Sequence, residues 1–185
     1  MENNNISIVN GLAKYQDDVI ALCDECFGPG LITPAVFSHW MEHPEFFQIA
    51  LKGDVLAGFI AMFPADEDTI MRRLKMPRED VRKYVKQRPC LFYNSAVIRK
   101  EFEHQGIMSR LQQQVFENAR NAGYHVLIGS AWIHDGFTPI AALVDRYGFR
   151  PIYKRKLIWY DIKEYYCVVC HGRCVCDAMI YYAEI

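Results

Sequence analysis

The sequence predicts an α/β (α+β) domain built on a mixed sheet, and three observations carry that prediction. Apolar runs of strand length recur along the chain, among them "CLFYNSAVI" and "HVLIGSAWI". Segments with apolar residues at spacings of three and four alternate with them, which is the period of a helix buried on one face. Cap and turn residues fall at the junctions between the two kinds of segment. The resulting order is β-α-α-β-β-β-α-β-α-β followed by a cysteine-rich tail.

Taken in order, "ISIVN" reads as a short first strand. Leu12, Tyr15, Val19, Cys23 and Cys26 then form one apolar stripe, a helix that stops at Gly28-Pro29-Gly30. Thr33 before Pro34 is an N-cap and first-turn signal for a second short helix, closed before Pro44. "FFQIALKGDVLAGFIAMF" is a hairpin hinged at Gly53-Asp54. Residues 64–89 break the pattern as a charged insertion. It opens acidic at Asp66, Glu67 and Asp68, then turns basic from Arg72 to Arg88. That stretch reads either as a solvated helix face or as a lid over a substrate site. "CLFYNSAVI" is the next strand, and a helix follows with Ile107, Leu111, Val115 and Ala119 along one stripe, ending at Gly123. "HVLIGSAWI" is another buried strand, and "TPIAALVDRYG" has a first-turn proline and a glycine stop, the signature of a short helix. "FRPIYKRKLIWYDI" returns as strand. Residues 1–160 form one domain on this reading, with residues 161–185 a Cys-rich hairpin packed on it.

The bulk numbers bound the function. At 185 residues, 51% hydrophobic and 23% charged, the chain has the length and composition for one domain with a sizeable core. A formal net charge of -1 gives no global footprint for nucleic acid or an anionic membrane. No apolar run has the roughly 20 residues needed to cross a bilayer. The first residues, "MENNNISIVNG", carry neither a basic nor an apolar leader, so a cytoplasmic protein is expected. Composition leaves a homodimer open.

The most informative junction is "EHQGIMSRL", where a buried strand passes into a helix through a polar turn with one glycine. Such a turn points several unpaired N–H groups, and the positive end of the helix dipole, in one direction. That is an anion site suited to phosphate. The stretch "AVIRKEFEHQGIMSRLQQQVFENARNAGY", followed by a buried strand and "AALVDRYGF", resembles the GNAT-type N-acetyltransferase superfamily. The family's cofactor motif, Q/R-x-x-G-x-G/A, falls on Glu103, His104, Gln105, Gly106, Ile107 and Met108. Its later signature, a short helix ending in Gly-Phe, falls on Gly148-Phe149. The resemblance runs over the order of elements from about residue 6 to 160.

The resemblance implies a mixed, mostly antiparallel central sheet flanked by helices. It also implies transfer of an acetyl group from acetyl-CoA to a primary amine by direct attack in a ternary complex. The pyrophosphate would lie on residues 103–108, and the pantetheine arm would pair with Ala96, Val97 and Ile98. A splay or bulge beside that strand would free a backbone N–H to polarise the thioester carbonyl. The chain departs from the family at four places. Glu103 stands for Arg or Gln, Met108 for Gly or Ala, Val144 for the acidic tyrosine, and Cys90 for a base glutamate. The side chains nearest those roles are His134 and Tyr147, each of which also has a plain reading, as a loop histidine and as a packed core ring. Cys90 reads as a small buried hydrophobe. The acceptor stays open among small amines, aminoglycoside-like compounds, polyamines and protein amines. The alternative functions are a non-catalytic acyl-CoA-binding or regulatory protein on the same fold, and a metal-binding interaction module.

The tail, "CVVCHGRCVC", places Cys167 and Cys170 in C-x-x-C spacing and Cys174 and Cys176 in C-x-C spacing. A turn at His171-Gly172-Arg173 would bring four thiolates together, and four thiolates in tetrahedral array make a closed, structural Zn2+ site. His171 is a candidate substitute for one sulfur. Disulfides and free thiols are the competing readings.

Overall fold

Seven strands among the described residues form one sheet, and its order explains how a functional gap arises. The computed structural model describes residues 6–86, 88–133 and 146–185. In chain order the elements are β1 (Ile6–Asn10), α1 (Gln16–Cys26), α2 (Pro34–Met41), β2 (Phe47–Lys52) and β3 (Val55–Pro64). They continue with α3 (Glu67–Leu74), α4 (Arg78–Val85), β4 (Cys90–Ile98), α5 (Ile107–Asn121), β5 (Val126–Ile133), β6 (Arg150–Lys156) and β7 (Asp177–Glu184). The strand order is β1-β2-β3-β4-β5-β7-β6. Every neighbouring pair is antiparallel except β4 and β5. This is the mixed, mostly antiparallel sheet expected from the sequence.

Period-two alternation sends the strand side chains to two cores. One face packs Val19, Leu22, Phe37 and Trp40 of α1 and α2 against Ile49, Phe59, Phe63 and Phe92. The other packs Ile107, Leu111, Val115 and Ala119 of α5 against Ala50, Ile60, Met62, Leu91 and Leu127. The α5 stripe is the one the spacing predicts. Thr33 caps α2 as expected, its hydroxyl accepting from the Val36 N–H at 3.4 Å. Leu12 does not join the first helix; it is 41% exposed ahead of a 3-10 turn at Ala13–Tyr15.

The charged insertion is two helices. Asp66 caps α3 by accepting from the Thr69 N–H at 2.8 Å. Ile70, Leu74, Met76, Val81 and Val85 are buried in the same core as α1 and α2. The exposed faces are tied together by Arg78 and Arg82 on Glu67. The chain after residue 150 also differs from the simplest reading of its sequence. β6 ends at Lys156, because Leu157 adopts a left-handed φ of 54°. The tail segment "AMIYYAE" is a strand of the central sheet itself. With Asp177 it builds β7, which inserts between β5 and β6, where its alternating apolar residues meet both cores.

Candidate active site

β4 and β5 pair only at their starts, from Cys90↔Val126 to Tyr93↔Gly129. Beyond that point β5 stays on β7 and β4 stays on β3, so the two parallel strands part. The parting is built into β4 by a bulge: Met62 faces Tyr93 and Ala61 faces Ser95, which leaves Asn94 as the extra residue. A bulge increases the local twist and bends the strand away from its neighbour. Residues 94–98 therefore have no β5 partner on that edge, and they include Ala96, Val97 and Ile98.

β4 leads through a 3-10 turn, Lys100–Phe102, into the start of α5. Gly106 is the N-cap, at φ 72° and ψ 8°, and no side chain caps the helix. The first backbone bond into the helix is Arg110 N–H to Gly106 O at 3.2 Å. The N–H groups of the first turn are thus left pointing outward, which is the anion-binding arrangement. No protein atom lies within 4 Å of where a Cβ on Gly106 would sit, so its backbone conformation and not a neighbour demands glycine. Glu103, His104 and Gln105 are exposed around the turn. Gln105 donates to the Glu101 carbonyl at 3.3 Å. Phe102 and Ile107, on either side of the turn, pack in the α5 core. Burial raises the pKa of Cys26 at the end of α1, and the Glu103 carboxylate is close enough to raise it further.

On the opposite side a cavity of about 490 Å³ opens onto the same gap. Its floor is residues 92–96 of β4 and 130–132 of β5, and its walls include Phe27 and Leu31 after α1, Arg73 on α3, and Tyr165 from the segment between β6 and β7. The lining is mostly apolar, yet among the described residues three cations, Arg72, Arg73 and Lys75, stand there against one carboxylate, Asp161. Lys75 holds Asp161 at 2.6 Å. Arg73 has no carboxylate partner among the described residues. Its guanidinium donates to Asn94 Oδ1 at 3.3 Å and lies 5.0 Å over Phe63 and 5.8 Å over Phe92. Desolvation, with Arg72 beside it, lowers its pKa from the usual arginine value. The charged insertion therefore forms part of the cavity wall.

Two phenols stand on the α5 side of the gap. Tyr147 donates to the Ser109 carbonyl in the first turn of α5 at 3.3 Å, its ring edge-on to Phe116. Tyr93 lies where β4 and β5 part, and its hydroxyl is buried with no hydrogen-bond partner among the described residues. Burial pushes the Tyr93 pKa up, and the Tyr147 phenol pushes it in the same direction. Sequence reasoning passed over Tyr93 because it sits inside an apolar strand. The available signal was its place two residues after the buried Leu91, on the face toward α5. His134 and Val144 lie outside the described residues. Cys90 is 2% exposed at the far end of β4, with its pKa pushed up to about 12 by burial. It is a core residue and no base.

The four tail cysteines come together. The sulfurs of Cys167, Cys170, Cys174 and Cys176 all lie within 4.8 Å of one another. His171 is exposed at the turn with φ 50° and is not part of the cluster.

Similarity to known proteins agrees with this geometry. No curated protein sequence matches the chain. Among solved structures, Arabidopsis thaliana Naa50 bound to a bisubstrate analogue superposes with a TM-score of 0.67 at 13% identity, covering 97% of this chain and 99% of that one. A GNAT family acetyltransferase from Elizabethkingia anophelis with acetyl-CoA bound gives 0.64 at 17% identity, over 99% and 100%. A polyamine N-acetyltransferase from Drosophila melanogaster gives 0.66 at 11% identity, over 98% and 100%. At these identities the likeness establishes the fold. The sequence profile of the acetyltransferase (GNAT) family matches residues 17–149, from α1 through the split strands to Phe149. The parted parallel strands, the glycine turn into α5 and that match together show that the chain belongs to the GNAT acetyltransferase family.

Proposed function

We propose that the protein is an acetyl-CoA-dependent N-acetyltransferase that acetylates a primary amine by direct attack in a ternary complex. The observation that carries this reading is that one gap, between β4 and β5, is reached from both sides. The phosphate-binding turn approaches it from the α5 face and the cavity from the other. Two substrates can then meet without either displacing the other, which is the proximity that direct transfer requires.

Acetyl-CoA, when bound, supplies an activated acetyl thioester. The backbone of residues 103–108 holds its pyrophosphate, and the unpaired edge of Ala96, Val97 and Ile98 pairs with its pantetheine arm. The freed N–H groups beside the Asn94 bulge polarise the carbonyl at the gap. Attack by the amine nitrogen forms the C–N bond as the C–S bond breaks. The amine gives up its proton to water at the cavity mouth, since Asp161, the one carboxylate lining the cavity among the described residues, is held by Lys75. The departing sulfur takes a proton from Tyr93, whose buried phenol stays protonated, with Tyr147 next to it. His134 is assigned no step.

The acceptor carries an apolar body and an anionic group. Arg73, stacked on two rings and lacking a carboxylate partner among the described residues, is shaped to receive a carboxylate in fork geometry. Three cations against one carboxylate disfavour a polyamine. A cytoplasmic setting, where thiols stay reduced, fits the seven free cysteines.

Release of free coenzyme A thiol should therefore be amine-dependent and faster with carboxylate-bearing amines or acidic peptides than with spermidine-like polyamines. Stoichiometric binding without turnover on any amine would support the second reading, a non-catalytic acyl-CoA-binding protein. That reading is favoured by the buried thiol of Cys90 where other members carry a base.

A further inference from the structure

We infer that Cys167, Cys170, Cys174 and Cys176 bind one Zn2+ ion, and that this centre holds the acceptor wall of the cavity in place. The first half stands on the thiols alone; the second rests on the acetyl-transfer reading.

The local chain is built to gather sulfurs. Cys167 and Gly172 exchange backbone hydrogen bonds, N–H to O at 2.8 Å and 3.4 Å, which folds the C-x-x-C stretch into a tight loop. His171 turns the chain with its left-handed φ. The next pair, Cys174 and Cys176, is fixed from the other side because Asp177 begins β7. The Val175 N–H donates to Cys170 Sγ at 3.4 Å, the backbone contact that stabilises a metal-bound thiolate. Cys170 and Cys176 sulfurs are 3.3 Å apart, and Cys167 and Cys176 sulfurs 3.9 Å. A tetrahedral site with Zn–S bonds of about 2.3 Å needs sulfurs about 3.8 Å apart. Four sulfurs leave no open position, so the ion is structural.

Its position gives it a second consequence. Tyr165, Cys167, Cys174 and Cys176 share a small core with Trp132, Trp159 and Leu31. Tyr165, Trp132, Trp159 and Leu31 all line the cavity. The Trp132 side chain donates toward the Cys176 sulfur, and the Tyr165 hydroxyl donates to the Phe27 carbonyl at 3.0 Å. The loop after α1 is fastened to the same segment by Tyr166 N–H to Pro29 O at 2.9 Å and Val168 N–H to Phe27 O at 3.2 Å. The fit is close: a Cβ on Gly28 would lie 1.9 Å from the Tyr166 carbonyl oxygen, and one on Gly30 2.1 Å from that of Glu164. Two cavity walls, one after α1 and one before β7, thus converge on four sulfurs. The segment joining β6 to β7 has almost no regular structure of its own, so the metal supplies the fixed point that a core would otherwise provide. None of these contacts involves residues 103–108 of the turn before α5.

The test uses the full chain purified without chelator. Elemental analysis should give a zinc-to-protein ratio near one, and cobalt substitution the absorption of a tetrahedral thiolate site. A ratio near zero overturns the assignment, whether the four thiols titrate free or are consumed in disulfides. Chelation of the zinc-loaded protein should shift the tryptophan emission, since Trp132 and Trp159 lie against the sulfurs. It should also raise the acceptor KM by roughly tenfold or more while coenzyme A affinity is kept. Unchanged emission and acceptor KM in the chelated, folded protein would refute the wall role and leave the metal. Cys170→Ala should reproduce the chelated state, and Cys170→His, which keeps a zinc ligand, should restore both readouts. If no amine is acetylated, zinc content and tryptophan emission still decide the metal and the wall movement, separately from the transfer reading.

Discussion

Replacing Gly106 and Gly123 by alanine, one at a time, separates what the turn before α5 does for the fold from what it does for the ligand. The two glycines stand at opposite ends of α5, at φ 72° and φ 82°, and neither has a protein atom within 4 Å of its would-be Cβ. Each substitution therefore carries the same backbone cost and no steric clash. An L-residue in the left-handed region costs about 1–2 kcal/mol. For a chain of this size that lowers Tm by about 2–8 °C, equally in the two variants. Only Gly106 sits where the first-turn N–H groups converge. Losing one charge-assisted bond to phosphate costs about 1.5–3 kcal/mol, or roughly 10- to 150-fold in Kd. Scanning calorimetry and titration calorimetry with coenzyme A measure the two quantities. Gly106→Ala should lose affinity, Gly123→Ala should keep it, and Gly106→Val should abolish binding. Equal coenzyme A affinity in folded Gly106 and Gly123 variants would refute the phosphate assignment.

Tyr93→Phe removes a hydroxyl that has no partner among the described residues, so Tm should hold or rise while kcat falls by about 100-fold or more. Because burial raises the Tyr93 pKa, the acid form persists and the wild-type rate should not fall as pH rises through about 10, the ordinary tyrosine range. Steady-state kinetics of Arg73→Gln should show a higher acceptor KM with kcat retained. Arg73→Lys should not restore it, since lysine lacks the planar fork that stacks on Phe63 and Phe92. Asp66→Ala should cost about 1 kcal/mol at neutral pH through loss of the α3 cap. The Thr69 hydrogen bonds hold the Asp66 carboxyl below its usual pKa, so this stability is present above the ordinary carboxylate pKa. It is lost as pH falls through the lowered one, and the two melting curves should converge in acid.

Much of this was legible because it is local. Thr33-Pro34, Gly53-Asp54 and the four-residue stripe from Ile107 to Ala119 each fix an element by cap, turn or period. The insertion was less legible because its charge masks its apolar face. Ile70 with Leu74, and Val81 with Val85, are spaced by four and could have shown two helices. The place of β7 depends on which strand edges are free, which no stretch of sequence states. The Asn94 bulge is likewise a property of the β3–β4 register and not of asparagine. The site was read in halves for the same reason. The backbone turn has a motif, whereas Tyr93, Arg73 and Asp161 come from a strand, a helix and a turn far apart in sequence. The cysteines were legible as a cluster, but their place beside the cavity wall needed the contacts of Trp132, Trp159 and Tyr165.

On the proposed mechanism two substrates meet at the gap between β4 and β5 and the acetyl group passes directly between them. Initial velocities of coenzyme A release, measured while both acetyl-CoA and a carboxylate-bearing amine are varied, test it most directly. Direct transfer in a ternary complex should give intersecting double-reciprocal lines, with release that depends on the amine. Parallel lines, or release of coenzyme A with no amine present, would contradict it.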